Sequence, residues 1–84
     1  MMELIESKRF KKEVAKIKDS KTRQRLFKQI GKILQNPAIG EFLFYKGGSR
    51  KIYVPPYRLL YSFKDNKIYL LRFEHRDKVY RKSS

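Results

Sequence analysis

The chain contains no cysteine and no tryptophan, and it has one histidine and three prolines among its 84 residues. Without cysteine, neither a disulfide framework nor a thiolate metal site is available, and a single histidine also argues against zinc. We therefore expect no metal and no cofactor. No apolar run approaches the roughly 20 residues of a membrane span, and the N-terminus lacks the apolar segment of a signal peptide. These absences predict a cytoplasmic protein that folds by packing alone.

Acidic residues are also scarce: 8 Asp and Glu stand against 22 Lys and Arg, which gives a formal net charge of +14. Residues 1–36 contain 11 of the basic residues and residues 37–84 contain the other 11, so no detachable tail explains the excess. Cations built into the folded elements indicate a polyanionic partner, and nucleic acid fits better than a membrane. A basic surface without such a partner, or an acidic protein partner, is also compatible with this charge.

The first half of the chain is predicted to be mainly helical. A hydrophobic content of 40% is enough for one modest core, so residues 1–84 are expected to form a single domain. A short strand over 2–6 is followed by a helix that Ser7 caps and by a second helix over about 21–35, capped at Asp19-Ser20. Their apolar faces are predicted to contain Phe10, Val14 and Ile17 on the first helix, and Leu26, Phe27, Ile30, Ile33 and Leu34 on the second.

The second half is predicted to be a sheet. Residues 50–54, 57–64 and 67–75 are rich in aromatic and branched side chains, and residues 38–48 are expected to be a connector. The order β-α-α-β-β-β predicts an α+β domain. In it a helix hairpin covers one face of a largely antiparallel four-stranded sheet and leaves the other face open.

The hairpin formed by residues 57–75 has a turn that decides which side chains share a face. A two-residue turn at 65–66 pairs Leu59 with Arg72, whereas a three-residue loop that includes Lys64 sets Arg58 opposite Arg72. We favour the three-residue loop, because it keeps the large aromatic residues against the helices and gathers the charges on the open face.

Two motifs in this region resemble the RelE/ParE superfamily of small toxins from toxin–antitoxin modules. They are Tyr57-Arg58-Leu59-Leu60-Tyr61 and His75-Arg76-Asp77-Lys78-Val79-Tyr80. Phe10 on the first helix and Asn36-Pro37 after the second also match the layout of that family. The resemblance implies a RelE-like fold and a cognate antitoxin. It implies a ribosome-dependent mRNA endonuclease in the RelE branch or a DNA gyrase inhibitor in the ParE branch. A plain RNA-binding module is a third interpretation of the charge.

In the RelE branch, the resemblance implies that the ribose 2′-OH attacks the adjacent phosphate of mRNA in the 30S ribosomal A site. This chemistry needs a base, cations around the phosphorane and an acid at the 5′-oxygen. The expected catalytic residues are Arg58 on the phosphate, Lys51 on the nucleophile or the developing charge, His75 as acid or base, and Tyr80 stacked on an mRNA base. Further RNA contacts are expected from Arg50, Arg72, Arg76, Lys78 and Arg81.

Structural explanations compete with these roles, because Arg58 is equally suited to an ion pair with Glu74 and Tyr80 to packing on the sheet edge. Two positions also depart from the family pattern. Tyr53 stands where the family has a second lysine, and Glu74 stands where the best-known RelE enzymes carry a further catalytic arginine. Either Arg72 or Arg76 replaces that arginine, or Glu74 acts as a base, or cleavage is weak or absent.

Overall fold

The computed structural model describes residues 2–44 and 47–75 of the chain. Within these ranges the chain forms two α-helices and five strands. In chain order they are β1 (Glu3–Glu6), α1 (Lys8–Ala15), α2 (Ser20–Gln35), a 3-10 turn (Pro37–Ile39), β2 (Glu41–Leu43), β3 (Ser49–Val54), β4 (Tyr57–Lys64) and β5 (Lys67–His75). Four of the predicted site residues lie outside the described residues: Arg76, Lys78, Tyr80 and Arg81.

The five strands form one sheet in the order β1-β5-β4-β3-β2. β1 runs parallel to β5, and the other neighbouring strands are antiparallel. The predicted α+β fold, with helices packed on a largely antiparallel sheet, is confirmed, but the sheet has five strands rather than four. The additional strand is β2, within the segment predicted to be a connector. Its three residues are too few to show the alternation that identifies a strand.

Helix α1 begins at the predicted cap. The Phe10 N–H donates to the Ser7 hydroxyl at 3.0 Å, which satisfies one of the free amides of the first turn. The same hydroxyl donates to the Leu71 carbonyl at 2.8 Å, and the Ser7 N–H donates to the Leu70 carbonyl at 3.0 Å. Ser7 therefore joins the start of α1 to β5 where β1 ends.

Helix α2 is capped by Asp19, within the predicted cap at Asp19-Ser20. Its carboxylate accepts hydrogen bonds from the Thr22 hydroxyl at 2.7 Å and from the Lys21 N–H at 3.2 Å. These two bonds favour the charged carboxylate and lower the pKa of Asp19 below 3.8. The helix ends at Gln35, and the next residue, Asn36, caps the 3-10 turn.

The core lies between the two helices and strands β3, β4 and β5. In the described part of the chain its buried members are Phe10, Ile17, Leu26, Ile30, Ile33, Val54, Leu59, Tyr61, Ile68, Leu70 and Phe73. Two residues predicted for the apolar face of α2 are exposed instead, Phe27 and Leu34. That prediction was wrong because both lie roughly 80–100° around the helix from Leu26. They flank the buried stripe rather than belong to it.

The turn between β4 and β5 contains two residues. Lys64 pairs with Lys67, and Asp65 and Asn66 adopt φ angles of 52° and 64°. Positive φ at both central positions is the conformation that two-residue hairpins favour, because its twist matches that of the strands. The three-residue loop favoured from the sequence was therefore wrong.

A β-bulge then changes the register halfway along the hairpin. Tyr61 pairs with Leu70, but the preceding residue, Leu60, pairs with Arg72, so Leu71 has no counterpart on β4. Leu70 and Phe73 consequently both lie in the core although two residues separate them. Beyond the bulge Leu59 pairs with Phe73, not with Arg72 as an uninterrupted two-residue hairpin requires.

Candidate functional site

The sheet surface turned away from the helices, here called the distal face, carries most of the charged side chains of the strands. It is defined by three cross-strand pairs: Tyr53 with Arg58, Arg58 with Glu74, and Leu60 with Arg72. Residues of these pairs alternate with the core residues Val54, Leu59 and Phe73, so they point the other way. Uninterrupted alternation along β5 would place Ile68 and Leu70 on one face with Arg72 and Glu74, but the bulge moves Arg72 and Glu74 to the distal face.

An ion-pair cluster occupies the centre of the distal face. The Arg58 Nε and Nη2 atoms both lie 3.1 Å from the Glu74 Oε2 atom, and the Arg72 Nη1 atom lies 3.2 Å from Glu74 Oε1. Only 10% of the Glu74 side chain and 15% of the Arg58 side chain are exposed. The ion pair between Arg58 and Glu74 is confirmed. Arg58 and Arg72 do share a face, but they are bridged by Glu74 rather than set opposite each other.

Glu13 of α1 extends this cluster to the helix layer. Its Oε2 atom accepts from Arg72 Nη2 at 2.8 Å and Nε at 3.0 Å, and its Oε1 atom accepts from the Phe73 N–H at 2.8 Å. The hydrogen bond to Glu13 raises the pKa of Arg72, assisted by the charges of Glu13 and Glu74. The resulting chain runs Glu13–Arg72–Glu74–Arg58. Its partially buried, alternating charges hold both guanidinium groups in fixed positions.

Sequence reasoning missed the role of Glu13, although a signal was present. Glu13 is the only acidic residue of α1, a helix that otherwise carries Lys8, Arg9, Lys11 and Lys12. A single carboxylate in a strongly basic helix indicates that it pairs with one particular cation elsewhere in the fold, because it would otherwise have no structural role.

Lys51 and Tyr53 lie beside this cluster on β3. The Lys51 ammonium donates to the Tyr53 hydroxyl at 3.1 Å and lies 3.8 Å from the Glu41 carboxylate on β2. Tyr53 pairs directly with Arg58 across the strands. The structure therefore brings three predicted residues, Lys51, Arg58 and Arg72, to one face. The position that departs from the family pattern, Tyr53, lies among them.

His75 projects from the opposite face of the sheet. It pairs with Tyr57, and the two rings meet edge to face with centroids 5.1 Å apart. The Tyr57 ring stacks in turn on Phe73, a core residue, at 4.8 Å. Strand alternation therefore places His75 and Arg58, two of the expected catalytic residues, on different faces of the sheet.

Arg50 also lies on the helix side, opposite Tyr61. Its Nη1 atom donates to the Gly40 carbonyl at 2.9 Å and to the Ala38 carbonyl at 3.2 Å. Its guanidinium lies over the Phe42 ring, 5.3 Å from the centroid. Arg50 therefore fastens the segment after α2 to the sheet and does not join the cations of the distal face.

Within residues 2–44 and 47–75, no group of three or more His, Cys, Asp or Glu side chains is arranged to hold a metal ion. Among the same residues no helix is both long enough and apolar enough to span a bilayer.

Comparison with known proteins agrees with this architecture. Residues 4–80 match the family model described as the ParE toxin of the type II toxin–antitoxin system parDE. No curated protein sequence matches the chain.

Three solved structures with the same fold are each less than 25% identical to this chain in sequence. A mutant of E. coli toxin RelE in complex with an antitoxin RelBc peptide is 24% identical, with a TM-score of 0.79 over 99% of this chain and 94% of that one. The toxin in the RelB–RelE complex of Methanococcus jannaschii is 21% identical, with a TM-score of 0.70 over 95% and 99%. A metal-bound toxin from Helicobacter pylori is 22% identical, with a TM-score of 0.71 over 94% and 99%. The chain thus belongs to the ParE toxin family of type II toxin–antitoxin systems, within the RelE/ParE superfamily that its motifs resemble.

Proposed function

We propose that this toxin is a ribosome-dependent mRNA endonuclease that binds mRNA in the 30S ribosomal A site and so inhibits translation. The observation that carries the proposal is the pair of arginines, Arg58 and Arg72, held by Glu74 on the distal face, with Lys51 on the same face of β3. Attack of a ribose 2′-OH on the adjacent phosphate builds negative charge on the phosphorane oxygens. Preorganised cations stabilise that charge most effectively where water is partly excluded.

Arg58 and Arg72 are the two cations that we assign to the phosphate. A guanidinium group donates through a planar fork that suits phosphate oxygens. Arg72 takes the place of the arginine that Glu74 replaces in the family pattern, because it shares a face and a carboxylate with Arg58. Glu74 holds both arginines, one on each of its oxygens, so we assign it to positioning rather than to the base.

Lys51 is proposed to stabilise charge near the nucleophile, and its ammonium is already oriented by Tyr53 and Glu41. His75, at the end of β5, and Tyr80 stay proposals for acid–base chemistry and for base stacking. Arg76, Lys78 and Arg81 are proposed to contact RNA. Arg50 stays a predicted RNA contact from the sequence alone.

Cleavage of mRNA during in vitro translation tests this function. We compare the wild type with Arg58→Ala and with Lys64→Ala, which removes an exposed cation near the hairpin turn. Cleavage by the wild type and by Lys64→Ala, together with its loss in Arg58→Ala, is expected. Circular dichroism verifies that all three proteins are folded. Equal cleavage by Arg58→Ala and the wild type would remove Arg58 from the mechanism.

Inhibition of DNA gyrase is the second candidate function, and the ParE family match over residues 4–80 favours it. A supercoiling assay with purified gyrase separates the two candidates. Inhibition of supercoiling without any cleavage of translated mRNA would replace the nuclease proposal. Inhibition that persists in a His75→Ala/Tyr80→Ala double variant would identify a binding protein that needs no acid–base residues.

A cognate antitoxin is the proposed protein partner. The E. coli and M. jannaschii toxins of similar fold were both solved as complexes with antitoxin. The net charge of +14 favours a partner with an acidic segment that covers the cations, and an amphipathic segment fits exposed apolar side chains such as Leu34. Co-purification with the product of the adjacent reading frame is expected, and its absence would contradict the proposal.

A further inference from the structure

Tyr53 is a large aromatic residue in an unusual position on the distal face. Its side chain does not belong to the core, and 49% of the residue is exposed. It is flanked by cations in two directions, because Lys51 lies two residues away along β3 and Arg58 lies directly across on β4. An aromatic ring set among cations on a sheet is the arrangement by which proteins bind single-stranded nucleic acid.

The ring is also held in place. The Lys51 ammonium lies 3.1 Å from the Tyr53 hydroxyl and 4.8 Å from the ring centroid. Its shorter contact is therefore the hydrogen bond to the hydroxyl and not a contact with the centre of the ring. Arg58, on the neighbouring strand, is fixed by Glu74. A preoriented ring loses less conformational entropy when a ligand stacks on it.

Other exposed aromatic residues in the described part of the chain do not share this setting. Phe27 lies on α2, and Phe42 and Phe63 lie on the helix side of the sheet, where each meets the Arg50 guanidinium. Phe44 follows β2, and its ring meets Phe42 edge to face with centroids 4.8 Å apart. Tyr53 is distinct from all four because it adjoins the Arg58–Glu74 pair.

We propose that Tyr53 is a stacking platform for one nucleobase of single-stranded RNA, with the adjoining phosphates bound by Lys51 and Arg58. This inference rests on the RNA binding in the proposed function but not on cleavage. Every nucleobase has an aromatic face, so the platform accepts any base. The tyrosine thus supplies a contact that a lysine at this position lacks.

Binding of a short 2′-O-methyl RNA oligonucleotide, which lacks the attacking hydroxyl, tests the proposal by fluorescence anisotropy. Tyr53→Ala is expected to weaken binding about 5-fold to 150-fold, the usual effect of losing one stacked base. Tyr53→Phe keeps the ring and is expected to stay within about threefold of the wild type, since it loses only a hydrogen bond. Phe27→Ala, an equivalent truncation outside the distal face, is expected to leave the affinity unchanged.

A matched oligonucleotide that is abasic throughout distinguishes stacking from an indirect effect. Wild type and Tyr53→Ala are expected to bind it equally, because the partner of the ring is gone. The proposal is overturned if Tyr53→Ala binds the normal oligonucleotide as tightly as the wild type. It is also overturned if Tyr53→Phe loses as much as Tyr53→Ala, or if the loss persists on the abasic strand.

These outcomes are separable from those of the cleavage assay. If the wild type shows Tyr53-dependent RNA binding but does not cleave translated mRNA, the stacking proposal is supported and the nuclease proposal is refuted. A wild type that cleaves translated mRNA but shows no Tyr53-dependent binding refutes the platform alone.

Discussion

Glu13→Ala is expected to destabilise the protein more than the loss of either carboxylate on β1. The Glu13 side chain accepts the Phe73 N–H at 2.8 Å and two bonds from the Arg72 guanidinium. β1 ends at Glu6 and pairs with β5 only as far as Leu70, so β1 does not reach the Phe73 N–H. At this edge of β5, the Glu13 carboxylate of α1 accepts the backbone hydrogen bond that a neighbouring strand would otherwise accept.

The magnitude follows from the two contacts that are lost. A backbone N–H without its partner costs about 1–3 kcal/mol, taken at the lower end because 21% of the Glu13 side chain is exposed. The ion pair adds about 0.5–1 kcal/mol, since 31% of the Arg72 side chain is exposed and water screens it. Alanine recovers a few tenths of a kcal/mol, at most roughly 0.4, through its helix propensity. The net loss is therefore about 1.5 kcal/mol, or about 6–12 °C in Tm for a domain of this size.

Thermal and urea denaturation measure this loss, with Glu6→Ala as the control because Glu6 is an exposed carboxylate on β1. The control is expected to change stability by no more than about 0.5 kcal/mol. Hydrogen exchange gives a second readout: the Phe73 amide is expected to exchange faster in Glu13→Ala. Equal stability of the two variants, with unchanged protection at Phe73, would refute the assignment of Glu13 as the partner of this strand edge.

Three further predictions concern the packing of the 3-10 turn and the cap of α2. Tyr61→Phe removes the buried hydroxyl that accepts from the Gly40 N–H and donates to the Pro37 carbonyl, so urea denaturation should show a loss of about 1–3 kcal/mol. Burial raises the pKa of Tyr61 above 10.0, so wild type should lose stability as the pH rises past 10.0 and this component should vanish in the variant. Gly40→Ala places a Cβ 2.8 Å from the Tyr61 ring and should destabilise by about 1–3 kcal/mol, whereas Gly31→Ala, with nothing within 4 Å, should stabilise by about 0.5–1 kcal/mol in thermal melts. Asp19→Asn should lower Tm at pH 7. The difference in Tm between the wild type and this variant should become smaller as the pH falls below 3.8, because the Asp19 carboxylate, whose pKa is lowered in the folded protein, stabilises the fold only while it is charged.

The sequence predicted those features that depend on neighbouring residues. Ser7 and Asp19 cap the helices as expected, because a cap needs only a hydroxyl or carboxylate within three residues of a free amide. The helices, the long strands and the α+β class follow from local periodicity for the same reason.

The features that the sequence did not predict depend on residues far apart in the chain. Glu13 and Phe73 are separated by 60 positions, and although Glu13 stands out as the only acidic residue of α1, nothing in the sequence identifies Phe73 as its partner. The bulge at Leu71 contains neither glycine nor proline, which are the usual indicators of an interrupted strand. The length of the turn was predicted wrongly because Asp65 and Asn66 both tolerate positive φ. Such residues are compatible with a two-residue turn and with a three-residue loop, so they do not distinguish the two.

The candidate site was predicted in part. Arg58 and Arg72 share a face, but for a reason that the sequence did not reveal: the two-residue turn alone separates them, and the bulge brings them back together. His75 was predicted with them because it begins the second motif and suits acid–base chemistry, and neither reason determines which face of the sheet it occupies. Alternation along β5 moves it to the helix side, beside Tyr57.

The bulge has a consequence for how this chain is compared with its relatives. Counting residues outward from the turn, as an ungapped alignment does, assigns Arg72 to the core side and Phe73 to the distal side. Equivalent residues of two homologous hairpins share a face of the sheet, but they need not lie the same number of residues from the turn. A β-bulge accommodates one extra residue in a strand and leaves the functional side chains on the same face. Residues beyond Leu71 are therefore matched to those of a relative by superposing the structures and comparing the directions of the side chains. A relative whose β5 is one residue shorter can present the same charged groups on the same face.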